Sequence, residues 1–217
     1  MQPYLFPYLG YFQLLGICND FVFYNDVNFI KGGWIHRNRI LVNGSPTYFG
    51  IQLMGASSTK KINEIYIDPK ENLREKTSKT IQQNYGKAPF FKDVYPLVEE
   101  VLHSKESHLD RIAAKSVQLV SDFLGLQLNY HFSSELNASR MVIDRTLRLI
   151  AIVKELKGER YINSIGGKEL YNKIDFRDKG IQLQFLKPSL PKYDQGISDF
   201  FPSLSIIDVL MNNSVDQ

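Results

Sequence analysis

RYINSIGGKELYNKIDFRDKGIQLQFLK, from Arg160 to Lys187, decides how this chain is put together. RYIN (Arg160 to Asn163) reads as a strand. SIGGKELYNKI is a glycine-rich turn feeding a short helix, and IQLQFLK (Ile181 to Lys187) is a second strand. The same alternation extends upstream, where LNYHF (Leu128 to Phe132) reads as a strand followed by a polar stop at Ser133-Ser134-Glu135. Met141 to Leu156 then carries Met141, Ile143, Leu147, Ile150 and Val153 at roughly helical spacing, which predicts a helix. Alternating strands and helices argue for a parallel or mostly parallel sheet with helices on its faces. In such sheets ligands lie outside the carboxyl ends of the strands. The candidate ends follow FVFY (Phe21 to Tyr24), LNYHF and RYIN.

The first half adds other units. Pro3 and Pro7 fix an ordered turn, and the pattern from Tyr8 to about Cys18 continues as a short helix. RILV and TYFGI flank Asn43-Gly44-Ser45-Pro46, and Asn-Gly is the strongest short hairpin signal. INEIYID is a further strand candidate, residues 72–84 read helical, and 94–124 carries one or two amphipathic helices with Gly125 as a C-cap. A Pro-rich loop runs from Pro188 to Pro202, and Leu204 to Asn212 closes the chain as a helix. The expected fold class is α/β: a mostly parallel central sheet flanked by helices, with an N-terminal hairpin and a helical insertion over 70–125, all in one domain, 1–217. The abrupt opening Met1-Gln2-Pro3 suggests a few more apolar residues upstream, forming a first strand.

The chain has 217 residues, 43% hydrophobic and 23% charged, close to globular averages. A formal charge of +3 is compatible with an anionic small molecule and well short of a dedicated DNA binder. The single cysteine, Cys18, excludes an internal disulfide and a multi-cysteine metal site. No apolar run is long enough to span a bilayer, and no signal peptide is evident, so a cytoplasmic location is expected. Neither HExxH, a clustered metal-ligand set, GxSxG nor a P-loop is found, so no metal or cofactor is expected.

The polar residues concentrate in YNDVNFIKGGWIHRNR, Tyr24 to Arg39. Here Asp26 can accept a proton. Lys31, Arg37 and Arg39 can hold phosphate or carboxylate, and Trp34 can stack on a base or sugar. Tyr24, Asn28 and Asn38 add hydrogen-bonding groups. The alternative is a structural ion-pair network around a core tryptophan. Around Asn163, the Gly166-Gly167 turn can expose backbone N–H groups to an anion, or can simply be a tight turn. Gln2, Tyr4 and Tyr11 can line a pocket, although aromatics with proline more often make a packed lid. In Ser133-Ser134-Glu135, Glu135 can be a second carboxylate near the same sheet edge, although such residues more often cap a strand or the next helix. The functional expectation is that the guanidinium-rich stretch and the distant glycine pair share one solvent-reachable cavity.

QPYLFPYLGYFQLL, YNDVNFIKGGWIHRNRI, YGKAPFF, SSEL, YINSIGGKELY and LSIIDVLMNN, in this order over nearly the whole chain, resemble the WbqC-like family of bacterial proteins. The resemblance implies a role in surface-polysaccharide and O-antigen biosynthesis. It points to a transferase that moves an amino-acyl or acyl group onto a nucleotide-linked amino sugar, with Asp26 catalytic. The substrate-binding residues would be Gln2, Tyr4, Tyr11, Tyr24, Asn28, Lys31, Trp34, Arg37, Asn38, Arg39, Asn163, Gly166 and Gly167. Other readings are a non-catalytic subunit that binds a nucleotide-sugar or a carrier or donor protein, and a nucleotidyltransferase-like enzyme. The chain departs from the family pattern where Asp and Gln would be expected at Asn25 and Asn28, and Asn at His36. Asn25 weakens any mechanism built on two carboxylates at that pair.

Overall fold

A computed structural model describes residues 1–70 and 72–215. In chain order the elements are α1 (Leu9–Leu15), β1 (Asp20–Phe23), β2 (Arg37–Val42), β3 (Ser45–Gly50), β4 (Leu53–Met54), β5 (Tyr66–Ile67), α2 (Leu73–Tyr85), α3 (Phe91–Leu102) and α4 (Leu109–Phe123). They continue with β6 (Asn129–Phe132), α5 (Asn137–Met141), α6 (Arg145–Glu155), β7 (Arg160–Ser164), α7 (Lys173–Arg177), β8 (Gln182–Leu186) and α8 (Ile206–Asn212). The fold is mixed α/β.

The expected central sheet is not continuous. Strands pair only in twos: β1 with β6 and β7 with β8 in parallel, β2 with β3 and β4 with β5 antiparallel. The Arg160 to Lys187 unit folds as read, with α7 between its two parallel strands. No backbone ladder joins β1 to β7, because a cleft lies between them.

The β2–β3 hairpin turns through Asn43 (φ 51°) and Gly44 (φ 74°), the positive-φ pair that a two-residue turn needs to match strand twist. The helical insertion is α2, α3 and α4, whose Ile81, Val94, Val98, Val101, Ile112 and Val117 are buried. Gly125 ends α4 with φ 69°, where a side chain would be strained. INEIYID is a 3₁₀ turn (Ile62–Glu64) followed by the short β5, because Ile62, Ile65 and Ile67 all reach the core through that turn. The predicted helix from Met141 is also interrupted. Asp144 caps α6 by accepting a hydrogen bond from the Leu147 N–H at 2.8 Å, so the chain before it turns away. Met141 and Ile143, expected on the apolar face, are 81% and 100% exposed.

Apolar packing divides in two. The main core joins the N-terminal turn, α1, β1, the hairpin, the helical insertion and α8. A smaller core, built on Leu149, Ile150, Val153, Phe176, Ile181 and Leu183, holds α6, α7, β7 and β8 together.

Candidate functional site

A cavity of about 640 Å³ lies between these two cores. Its floor is formed by the edges of β1 (Asp20, Phe21, Val22) and β7 (Arg160 to Ser164), and α1 and α6 supply apolar walls. At the carboxyl ends of the strands it is lined by Gln2, Tyr4, Tyr24, Asn163, Gly166, Gly167 and Tyr171, and this end is termed its mouth. Six of these seven were picked out from sequence, and they come from three separate segments. Parallel strands place their following loops at one edge, which is why they meet.

The glycine pair acts through Asn163. Its Oδ1 accepts from the Ser164 N–H at 2.8 Å, and a Cβ at Gly167 would sit 2.5 Å from its Nδ2. Glycine at 167 therefore leaves room for the Asn163 amide in its present rotamer. Gly166 has no such constraint; the nearest atom to a Cβ there is the Ser164 hydroxyl at 4.0 Å. Burial raises the phenol pKa values of both Tyr24 and Tyr171, and the nearby Arg145 guanidinium pulls against that shift. Both rings are therefore neutral donors near neutrality. Arg145 is exposed, forms no ion pair among the described residues, and is close enough to act on both rings without lining the cavity itself.

Behind Tyr24 the chain builds a polar cluster. Asp26 accepts hydrogen bonds from the hydroxyls of Ser133 and Ser139 (2.9 Å for Ser139) and from Arg148, which also forms its ion pair. The Arg148 guanidinium donates to Ser139 and lies 4.9 Å over the Tyr24 ring. Asn25 is fully buried: its Nδ2 donates to Asp110 Oδ2 (2.7 Å) and the Ser134 hydroxyl, and its Oδ1 accepts from the Ser134 N–H and Ser133. The Ser133-Ser134 step, read as a cap, is thus the clasp between the loops after β1 and β6.

The other sequence-derived residues lie elsewhere. Tyr11 is buried in the main core, does not line the cavity, and steadies Gln2 by donating to its carbonyl at 2.9 Å. Asn38 is buried and donates to the carbonyls of Leu5 and Phe6, fixing a turn in which Phe6 has φ 43°. Trp34 stacks on Tyr48 at 6.0 Å, with Arg39 over the indole (5.6 Å) and Arg37 over the Tyr48 ring (4.5 Å). Arg37 also donates to the Gly32 and Gly33 carbonyls. Trp34, Arg37, Arg39, Asn28 and Lys31 are not among the residues lining the cavity. Trp34, Arg37 and Arg39 make with Tyr48 a separate platform in which, among the described residues, neither guanidinium is ion-paired; Asn28 and Lys31 are exposed and are not part of that stack.

Sequence reading missed Arg145, Arg148, Ser139 and Tyr171. The two arginines stand three residues apart on a helix, hence on one face, and that spacing was available as a signal. Ser139 carried none. Among the described residues no group of three or more His, Cys, Asp or Glu could hold a metal, and no helix is long and apolar enough to cross a membrane.

Comparison with known proteins agrees with the motif pattern. A profile of the WbqC-like protein family matches residues 2–217. The uncharacterized protein Rv1507c of Mycobacterium tuberculosis (strain ATCC 25618 / H37Rv) is 21% identical over 216 residues, covering 98% of this chain and 91% of that one. No solved structure matches the chain. With the family profile spanning nearly every residue, this chain belongs to the WbqC-like protein family.

Proposed function

We propose that the protein is a transferase of surface-polysaccharide biosynthesis that moves an amino-acyl or acyl group onto a nucleotide-linked amino sugar. The observation that supports this reading most is the cavity mouth, where Gln2, Tyr4, Tyr24, Asn163, Gly166 and Gly167 line one cavity at the carboxyl ends of parallel strands. Its groups suit a polyhydroxylated, anionic substrate: neutral phenols and an amide for hydroxyls, with Arg145, near Tyr24 and Tyr171 and without an ion pair among the described residues, for negative charge. As the acyl C–N bond forms, the bond between the acyl carbon and its donor breaks; the donor leaves with the electron pair and takes up a proton, and the attacking amine loses one. Asp26, the carboxylate next in the loop after Tyr24, is the group assigned that proton; Ser133, Ser139 and Arg148 hold it in place. The Trp34–Tyr48 platform, with Arg37 and Arg39, is assigned the nucleotide end of the substrate by stacking and charge.

The test is calorimetric titration with UDP- and dTDP-linked amino sugars. Asn163→Ala and Arg145→Ala should weaken binding at least about tenfold, the loss expected for a hydrogen bond to a charged group. Trp34→Ala tests the platform separately. Failure of every nucleotide-linked sugar to bind wild-type protein would refute the substrate class.

One observation favours a second reading, a binding subunit that engages a carrier or donor protein. Met141, Ile143 and Leu147 are 81%, 100% and 47% exposed next to Arg145 and Arg148. Turnover that appears only on addition of a second protein would support it.

A further inference from the structure

The exposed apolar residues where α5 meets α6 have a local cause. Asp144 is the N-cap of α6, so Ile143 stands just ahead of the cap. An apolar residue there ordinarily packs on the fourth residue of the helix. In α6 that residue is Arg148, which is turned to Asp26 and Tyr24. Ile143 therefore finds no partner on its own helix and is wholly exposed. Met141, two residues earlier at the end of α5, is nearly as open, and Leu147 adds a third exposed apolar side chain one turn further on.

The charges around this tip are one-sided. Glu135 is paired with Arg111 and Asp26 with Arg148. Asp144 accepts the Leu147 N–H, and Glu155 accepts the N–H groups of Asn137 and Ala138. Arg140 and Arg145 bracket the apolar run, and both are exposed. Arg140 is steadied by donating to the Ser134 carbonyl at 3.0 and 2.9 Å, contacts that leave its charge uncompensated. Neither arginine has an ion pair among the described residues.

We propose that this tip docks on a membrane surface rich in anionic phospholipid. Met141 and Ile143 enter the boundary between headgroups and acyl chains, and Arg140 and Arg145 lie at the level of the phosphates. Three observations select this occupant. The two guanidiniums match phosphate oxygens and are drawn to a negative surface. The apolar groups are aliphatic and protrude, whereas protein contacts concentrate their energy in aromatic side chains that fill pockets. A second copy of the chain fits poorly, because a two-fold contact would set these arginines against their own counterparts. Arg145 also acts on Tyr24 and Tyr171, so docking sets the mouth of the cavity beside the headgroup layer. The contact is independent of the substrate assigned above.

Flotation of the full chain with phosphatidylcholine vesicles, with and without about one-third phosphatidylglycerol, tests this. Wild-type protein should bind the anionic vesicles at least about tenfold more tightly than the neutral ones, and high salt should remove the difference. Met141→Ser combined with Ile143→Ser should weaken binding at least about tenfold. Arg140→Ala should weaken it about fivefold, the effect of one cation near such a surface. The serine variant should melt with the wild type, because both side chains are already exposed. Equal binding to the two kinds of vesicle, or anionic binding that survives the double substitution, would overturn the proposal. So would wild-type protein that ignores vesicles but associates, through the same two residues, with a second copy of itself or with an acidic carrier protein.

Discussion

Substituting Asp26 and Arg148 singly and together isolates the interaction that clasps β1 to α6. Their side chains are 10% and 14% exposed, so the pair is mostly desolvated and weakly screened. Two unit charges at about 4 Å in an effective dielectric near 20 attract by roughly 4 kcal/mol. Desolvation of both groups offsets part of this, leaving a coupling of about 2–3 kcal/mol once the charge-assisted hydrogen bond is included. Asp26→Asn keeps the volume and strands a cation among Tyr24, Ser139 and Arg145. Arg148→Met keeps the packing on Tyr24 and strands a carboxylate held by two hydroxyls. Each single variant should therefore lose about 2–3 kcal/mol, seen in a chain of this size as a melting temperature lower by roughly 5–10 °C. The double variant should lose much less than the sum. Urea denaturation of the four proteins gives the coupling directly. A coupling below about 0.5 kcal/mol, the range of exposed ion pairs, would show that the clasp is incidental.

The neutral Asn25 predicts that Asn25→Asp destabilises the protein by about 2–3 kcal/mol near pH 7. It sets a second buried carboxylate against Asp110 Oδ2, now 2.7 Å from the amide, and the loss should shrink in acid as one carboxyl protonates. Asp208 is fully buried and accepts from Tyr85 (2.5 Å), Tyr193 (2.6 Å) and Gln195. Asp208→Ala leaves the Tyr85 and Tyr193 hydroxyls without their acceptor, Gln195 keeping the Phe201 carbonyl, and should cost about 3 kcal/mol or more by denaturation, freeing the Pro-rich loop that Tyr193 and Gln195 belong to. Burial first, then Arg37, pushes the His36 pKa below its usual value, so the native imidazole stays neutral while the unfolded one takes up a proton. Stability from this group is present above pH about 6.5 and is lost as pH falls toward the lower native pKa. His36→Asn should flatten that stretch of the stability–pH curve, and an unchanged slope would contradict the assignment.

Local signals were the ones legible in sequence. Asn43-Gly44 announced its hairpin because the turn demands positive φ at both positions. The Arg160 to Lys187 unit was readable because a glycine turn and a short helix separate two compact apolar runs. The Met141 to Leu156 reading erred because periodicity counted Met141 and Ile143 but gave no weight to Asp144, whose capping bond restarts the helix. A continuous sheet was expected from strand–helix alternation, which reports parallel pairing without saying that every pair adjoins the next. The site followed the same division. Tyr24, Asn163, Gly166 and Gly167 belong to loops at strand ends, so their meeting could be anticipated. Trp34 with Arg37 and Arg39 looked like part of that cavity only because charge and aromaticity carry no direction. Those side chains turn instead to Tyr48 on the hairpin. Arg148 reaches Asp26 across 122 positions of sequence, a separation that no motif spacing encodes.

The most direct measurement is a titration of isotopically labelled protein with a nucleotide-linked amino sugar, followed by backbone amide chemical shifts. The account predicts that Tyr24, Asn163, Gly166, Gly167 and Tyr171 move together and saturate with a single affinity. Shifts confined to residues far from that opening, or none at saturating sugar, would contradict it.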